Sequence, residues 1–416
     1  MHQTKTKLTL AEQLCSVSIF LVLGLLLSTN NYTVFIAALT VFFSIAYIIK
    51  QKNNITWDLT DKLVVAILSA YLISNIPMVF LDWGNFRYFR GASRIILCIP
   101  VYFLFKYFID VKKIYIKSLS YGVLFGSIGA VCIAIYQFFI EGRPRVDGFL
   151  YSINFGYLSC ALSTLALALF KNEKYRTIAF IAFTLSVSAL LMTLTRGAIF
   201  ALPALLILAY LLNFKSIGII RGTIGSIILI LISTSLYFFS PKIKDRVDYT
   251  VYEITNVING DTQRAVSTGG RIMLWTAALE AFKESPLIGL THPERESLNK
   301  KLAKEKIINN WASNIPRGHA HSQYFDMLAS GGLLGVTAIV FMLFIPFFYF
   351  LRNVRNSNAA YIGVLFVSSF IIFCFTEVAL QQNLISTFYG YILALLFAAT
   401  QAELKSKRYK SVQVYS

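Results

Sequence analysis

Charge is what this 416-residue chain has least of. Only 14% of its residues are charged, and Asp and Glu together number 20, where a soluble domain carries roughly a quarter charged residues. That excludes a water-soluble globule clothed in its own charges. Histidine occurs four times and cysteine five times, with Cys15, Cys98, Cys132, Cys160 and Cys374 all inside apolar stretches. None of them has the spacing of a metal or redox motif, so they are expected to be core thiols that say nothing about compartment. No glycine-rich phosphate loop ending in lysine occurs, and with it goes any sign of ATP use. No Asp-x-Asp pair signals a cation-dependent glycosyl-transfer site, and His319-x-His321 alone is too little for zinc. Neither metal nor cofactor is therefore expected, and the energy for any transfer must already sit in the substrate.

What the chain has in abundance is apolar residues, 56% of the total, with a mean hydropathy of +0.64. They cluster in blocks near the ~20 residues that span a bilayer as a helix. The expected fold class is an all-α polytopic membrane protein of about twelve helices. The spans run over 8–28, 32–49, 63–81, 92–108, 119–140, 151–170, 177–195, 197–214, 222–239, 332–351, 359–375 and 383–400. Residues 1–239 then hold spans one to nine, 240–321 form one long hydrophilic segment, and 322–416 hold the last three spans and a tail. The first apolar run lacks a small-residue cleavage site after it and is taken as a span.

The net charge of +18 could suggest nucleic acid. However, the basic residues lie in short loops between apolar blocks, where positive charge sets topology, and no nucleic-acid motif accompanies them. The positive-inside rule places both termini in the cytoplasm, with Lys50, Lys52, Lys62, Lys106, Lys112, Lys171, Lys174 and Lys405 among the inner charges. The short outer loops carry Arg87, Arg90, Arg143, Arg145 and Arg196, and no lysine. Arginine offers a rigid, permanently charged fork that matches phosphate oxygens, so this segregation points to an anionic, phosphate-bearing lipid substrate. The alternative is scattered arginines snorkelling to headgroups.

The outer segment carries twelve basic and nine acidic residues and reads as a small lid. From Arg271 to Lys283 it has helical periodicity, with Ile272, Trp275, Leu279 and Phe282 as the apolar stripe and Ser285-Pro286 as the stop. Arg271 in a first turn opposes the helix dipole and is better explained by an anion shared with the helix end. The charged run 294–306 reads as a solvated helix or loop of little functional weight, and His292 and His2 as incidental. Arg196, between two spans with almost no loop, needs a partner. His321 lies where water meets lipid, beside Arg317 and before an apolar run, and can accept a proton at neutral pH. His319 competes with it for that role. Gly332 and Gly335 have the spacing that lets membrane helices approach closely.

Taken together, His321-Ser322-x9-Gly332-x-x-Gly335, Thr195-Arg196-Gly197, Gly270-Arg271…Trp275…Ser285-Pro286-Leu287-Ile288-Gly289 and Glu377-Val378-Ala379-Leu380-Gln381-Gln382-Asn383 resemble the O-antigen ligases of bacteria, over roughly residues 193–383. The resemblance implies a fold like the C-type membrane glycosyltransferases, in the inner membrane of a Gram-negative bacterium, with the active site on the periplasmic side. It implies transfer of O-antigen polysaccharide from undecaprenyl pyrophosphate to a hydroxyl of lipid A-core oligosaccharide, without metal. Arg196 and Arg271 would bind the pyrophosphate and His321 would be the base. Arg87, Arg90, Arg145, Arg317 and His319 are further candidates for substrate binding. The rivals are an O-antigen polymerase, which uses the same donor, and a transporter or flippase, which should show repeated halves that this chain lacks.

Overall fold

The computed structural model describes residues 7–51, 55–261 and 264–415; His2 and Lys52 lie outside them. Every regular element among the described residues is helical. In chain order the long ones are α1 (Leu10–Gly24), α2 (Tyr32–Gln51), α3 (Leu59–Leu81), α4 (Phe86–Tyr107), α5 (Val111–Ile140), α6 (Ser152–Leu169), α7 (Glu173–Met192), α8 (Arg196–Leu212), α9 (Phe214–Phe239), α10 (Pro241–Ile258), α11 (Val266–Glu284), α12 (His292–Lys304), α13 (Gln323–Asn353), α14 (Asn358–Thr376) and α15, whose apolar span is Asn383–Arg408. Ten of these segments are long and apolar enough to cross a membrane, and α1 and α8 are shorter apolar helices. All twelve expected spans fall on them.

The bundle is built around α15, whose apolar window is 94% buried; α14 packs against it, and α6 packs against α14. Tyr389, Tyr391, Phe366, Phe370 and Phe388 fill this centre without solvent contact. By contrast α9 buries none of its apolar window, leaving its Ile-rich faces to lipid. Four of the five cysteines are buried, but Cys132 faces outward, because the face of α5 that carries it has no neighbouring helix to meet. The inner-loop lysines gather at one end, together with Arg352, Arg355 and Arg408, and the short-loop arginines at the other. Lys106, Lys112, Lys171 and Lys405 surround clefts at one end. Arg87, Arg90, Arg317 and His319 share a cleft at the other.

The outer segment is helical in its regular parts. It folds into α10, α11 and α12, and the last two pack onto α13 through Leu274, Ala277, Ala278, Leu298 and Leu302. The buried stripe of α11 is thus the Leu274–Ala281 face of small residues. Of the expected stripe, Trp275 stacks on Phe325 of α13 with ring centroids 4.8 Å apart, while Leu279 is exposed, because the small residues beside it permit the closer approach. Charged as it is, α12 sends Arg295 inward, where it meets Asp326 of α13 at 3.1 Å, with both side chains 3% exposed. That corrects the expectation that this run matters little.

Gly332 does more than let helices approach. It adopts φ +54, ψ −139 and breaks α13. The chain 286–290 enters the break: Leu333 N–H donates to the Pro286 carbonyl at 2.8 Å, and Leu290 N–H to the Ala329 carbonyl at 2.8 Å. A Cβ on Gly332 would lie 2.6 Å from the Leu287 carbonyl carbon, so the position demands glycine for both conformation and space. Gly335 packs its Cα against the Met327 carbonyl on the far side of the break. The glycine pair therefore serves this docking, not the contact of two membrane helices.

Removing one partner of the buried pair, by Arg295→Met or Asp326→Leu, is expected to destabilise the protein by about 3–5 kcal/mol, while the double substitution recovers most of the loss. Unfolding in mixed micelles checks this; single variants as stable as the parent would refute it.

Candidate active site

The site forms where the loop before α13 meets the loop after α14. In the first, Pro316–Gly318 is a single tight turn, and both Arg317 (φ 63) and His321 (φ 46) take left-handed backbone. For non-glycine residues this costs roughly 1 kcal/mol each, and it persists only where surrounding contacts over-determine it. Here Asp326 supplies them. Its Oδ1 accepts from Ala320 N–H and from Arg295, and Arg295 also donates to the Gly318 carbonyl. Its Oδ2 accepts from Gln381 at 2.7 Å. Gln323 fastens the second loop: its N–H donates to the Glu377 carbonyl and its side-chain carbonyl accepts from Leu380 N–H.

These bonds bring Glu377 between the two histidines. Its Oε2 lies 3.1 Å from His321 Nδ1 and its Oε1 3.4 Å from His319 Nε2. Burial opposes ionisation of Glu377, but the hydrogen bond with His321, the largest of the opposing effects, prevails and holds the carboxyl below its usual range. An ionised carboxylate only accepts, so the proton on neutral His321 sits on Nδ1, leaving the Nε2 lone pair free. His319 is different. Its Nδ1 accepts from the His321 backbone N–H at 3.3 Å, so its proton sits on Nε2, facing Glu377. Burial above all keeps it neutral by pushing its pKa down. The geometry thus leaves His321, not His319, with an unengaged nitrogen, the configuration of a general base held by a carboxylate.

His319, His321 and Glu377 could also offer one ligand atom each to a cation, all within 4.8 Å of one another. A metal-bound histidine donates its second nitrogen's proton to an acceptor. In His319 that second nitrogen faces a backbone N–H donor, so the group fits a hydrogen-bonded set and not a ligand set.

Arginines flank the pair. Arg196, the first residue of α8, has the partner its position requires: Nη1 meets Glu253 Oε2 at 2.5 Å and Nη2 meets Ser267 Oγ at 2.7 Å. Glu253 is fully buried. Burial raises its pKa, but hydrogen bonds from Arg196 and Ser267 N–H prevail and keep it ionised. Arg145 donates to the Thr193 carbonyl and to Thr195 Oγ1, fixing the α7–α8 turn in which Leu194 also has positive φ. Burial, then the charge of Arg196, lowers its pKa. Arg246 of α10 joins them: burial lowers its pKa first, then the charges of Arg196 and Arg145, and its buried Nε has no partner. Three guanidinia therefore share one carboxylate, a local excess of positive charge.

Arg271 stands in the second turn of α11, not the first, because the helix begins at Val266. The dipole argument for it is correspondingly weaker, but among the described residues it has neither an ion pair nor a hydrogen bond. It lies within electrostatic reach of Tyr157, whose hydroxyl bonds Thr376, the neighbour of Glu377. Arg87, Arg90, Arg317 and His319 line a separate cleft with Tyr88 and His292. His292 is not incidental: it stacks on Tyr88 at 4.1 Å, and its N–H donates to the Tyr88 hydroxyl.

Sequence reading named His321, Arg271 and the outer arginines but missed Glu377 as a site residue, Arg246 and His292. For Arg246 a signal existed: with Thr250 and Glu253 it makes a polar i, i+4, i+7 stripe on an amphipathic helix. For Glu377 the only hint was its place in the family-like stretch.

Residues 181–340 match the family described as O-antigen ligase. Over 356 residues, 82% of this chain and 87% of the other, the sequence is 24% identical to an uncharacterised protein of Haemophilus influenzae (strain ATCC 51907 / DSM 11121 / KW20 / Rd).

Glu377→Gln is expected to lower the glycan-transfer rate about a hundredfold with little change in acceptor KM, and to add nothing in a His321→Ala background. An additive loss in the double variant would show that the two act separately. Burial first of all drops the His292 pKa from its ordinary value near 6.5 to about 4. The unfolded chain therefore takes up this proton more readily, so the stability that His292 contributes is full above about pH 6.5 and is lost as pH falls through about 4. His292→Phe should flatten the fall in melting temperature over that window; an unchanged profile would exclude the assignment.

Proposed function

We propose that this chain, which carries a domain of the O-antigen ligase family over residues 181–340, transfers an O-antigen glycan from undecaprenyl pyrophosphate to a sugar hydroxyl of lipid A-core oligosaccharide. In this reading the reaction takes place at the periplasmic face of a Gram-negative inner membrane, with both termini in the cytoplasm. The observation that carries it is the free Nε2 of His321, oriented by Glu377 through a 3.1 Å contact, beside guanidinia that exceed their carboxylate partners.

The acceptor oxygen attacks the anomeric carbon as its proton passes to His321 Nε2. The bond from that carbon to the pyrophosphate oxygen breaks, and the electron pair leaves with the pyrophosphate. A single displacement inverts the anomeric configuration. Charge grows on the leaving group, where preorganised guanidinia stabilise it most. Arg271, without a protein partner among the described residues, and Arg145 and Arg246 would take that task. Arg196 is held by Glu253 and acts as a positioning residue that locks α10 and α11 beside the site. The free nitrogen of an oriented His321 suits removal of a hydroxyl proton, which transfer chemistry requires and simple passage does not.

Purified protein should transfer lipid-linked glycan to lipid A-core with neither ATP nor divalent metal, and excess chelator should leave the rate unchanged. His321→Ala or Arg271→Ala should remove activity about 10²-fold or more while leaving the protein folded. Elongation of lipid-linked glycan without transfer to lipid A-core would show a polymerase instead. Metal-dependent transfer, or full activity in either variant, would sink the mechanism.

A further inference from the structure

The positive charge around Glu377 is divided into two separate sets. One comprises Arg145, Arg196 and Arg246, with Arg271 nearby, and is reached from Glu377 through Thr376 and Tyr157. The other is the cleft lined by Arg87, Arg90 and Arg317, which ends on His319 and so reaches Glu377 through its other oxygen. The sets have no residue in common. Among the described residues no carboxylate pairs with any of the three cleft guanidinia. The acids nearby are occupied: Asp82 accepts from Asn85 and the Tyr88 hydroxyl, Glu296 from the Arg317 backbone N–H, and Asp326 from Arg295 and Gln381. One wall of the cleft is the stacked pair Tyr88–His292, and His292 Nδ1 is buried there without a hydrogen-bond partner.

Direct displacement at a sugar carbon requires the nucleophile and the leaving group on opposite faces of that carbon. A pyrophosphate can therefore use one set of arginines but not both. The second set is then left unneutralised beside the base, on the side from which the nucleophile must come. Unpaired guanidinia lining a cleft are stable in company with an anion, and the Tyr88–His292 stack makes the wall behind them rigid.

We infer that the Arg87–Arg90–Arg317 cleft is the acceptor subsite and recognises an anionic substituent, phosphate or carboxylate, on the acceptor saccharide. This rests on the transfer reading above and deepens it. The anion holds the acceptor sugar against Tyr88 and His292 with its hydroxyl near His321, while the donor pyrophosphate occupies the Arg271 side. Specificity for the acceptor then comes largely from charge and less from the hydroxyl itself.

The test uses full-length protein in detergent and three forms of one lipid A-core acceptor: untreated, dephosphorylated with hydrogen fluoride, and carboxyl-reduced. For the wild type, removing the recognised anion should raise acceptor KM about tenfold, and the form that shows the effect identifies the anion. The Arg87→Gln/Arg90→Gln and Arg317→Gln variants should show a similar rise with the untreated acceptor and no further rise with the stripped one, while the KM for the lipid-linked donor stays the same. Retained transfer to the stripped acceptor shows that these variants are folded. The inference is overturned if the variants raise the donor KM instead, or if the wild type uses all three acceptors equally. Equilibrium binding of untreated acceptor separates the two levels of the reading. Binding that depends on these arginines without any transfer refutes the catalytic reading and keeps the subsite; transfer with arginine-independent binding does the reverse.

Discussion

A guanidinium and a carboxylate meet beneath the histidine loop with almost no water around them. Arg295 and Asp326 come from helices on different sides of that loop, and each spends its remaining hydrogen-bonding capacity on the chain between and beside them: the Gly318 carbonyl, the Ala320 N–H and the Gln381 amide. A buried ion pair adds little net stability by itself, because desolvating two charges offsets their attraction. What it supplies here is a fixed relation among α12, the 317–321 turn, α13 and the 377–382 loop. Without that relation the left-handed backbone at Arg317 and His321 would relax, and the contact of His321 with Glu377 would go with it.

The scarcity of acid in the chain gives each buried carboxylate at this end a separate task. Glu253 locks Arg196 against α10 and α11. Asp326 organises the loops. Glu377 sets the proton positions on two imidazoles. None neutralises the arginines left over, so the site is built with a standing deficit of negative charge. Such a deficit destabilises the empty protein, and it is relieved by anionic ligands in a low-dielectric setting where each contact counts for more than in water.

The twelve spans were legible because hydropathy and length are local properties: a run of ~20 apolar residues reads the same whatever surrounds it. The gathering of arginines in the short loops at the site's end was legible for the same reason, and the family resemblance singled out His321 over His319. What could not be read were relations across distance. Glu377 is 56 residues from His321, and nothing local to either announces the other. Arg295 sits in a run so charged that solvent seemed its natural surroundings, and only Asp326, 31 residues on, makes its burial tolerable. On α11 the stripe of larger apolar side chains included Trp275, which does meet α13, but not the adjacent Leu274–Ala281 face, where alanines allow the closer packing. Gly332 was noticed for its smallness, whereas its backbone dihedrals are what the docking of 286–290 requires.

That docking has a consequence for biogenesis. Residues 286–290 leave the ribosome well before α13, yet their carbonyls find their partners only at the break that Gly332 makes in that helix. The outer segment consequently cannot reach its final register until the tenth span has been inserted, and the loop carrying Glu377 comes later still. The His321–Glu377 contact is assembled from parts synthesised at different times, so a nascent or truncated chain lacks it. The two loops therefore reach their mutual geometry only when the last spans are in place.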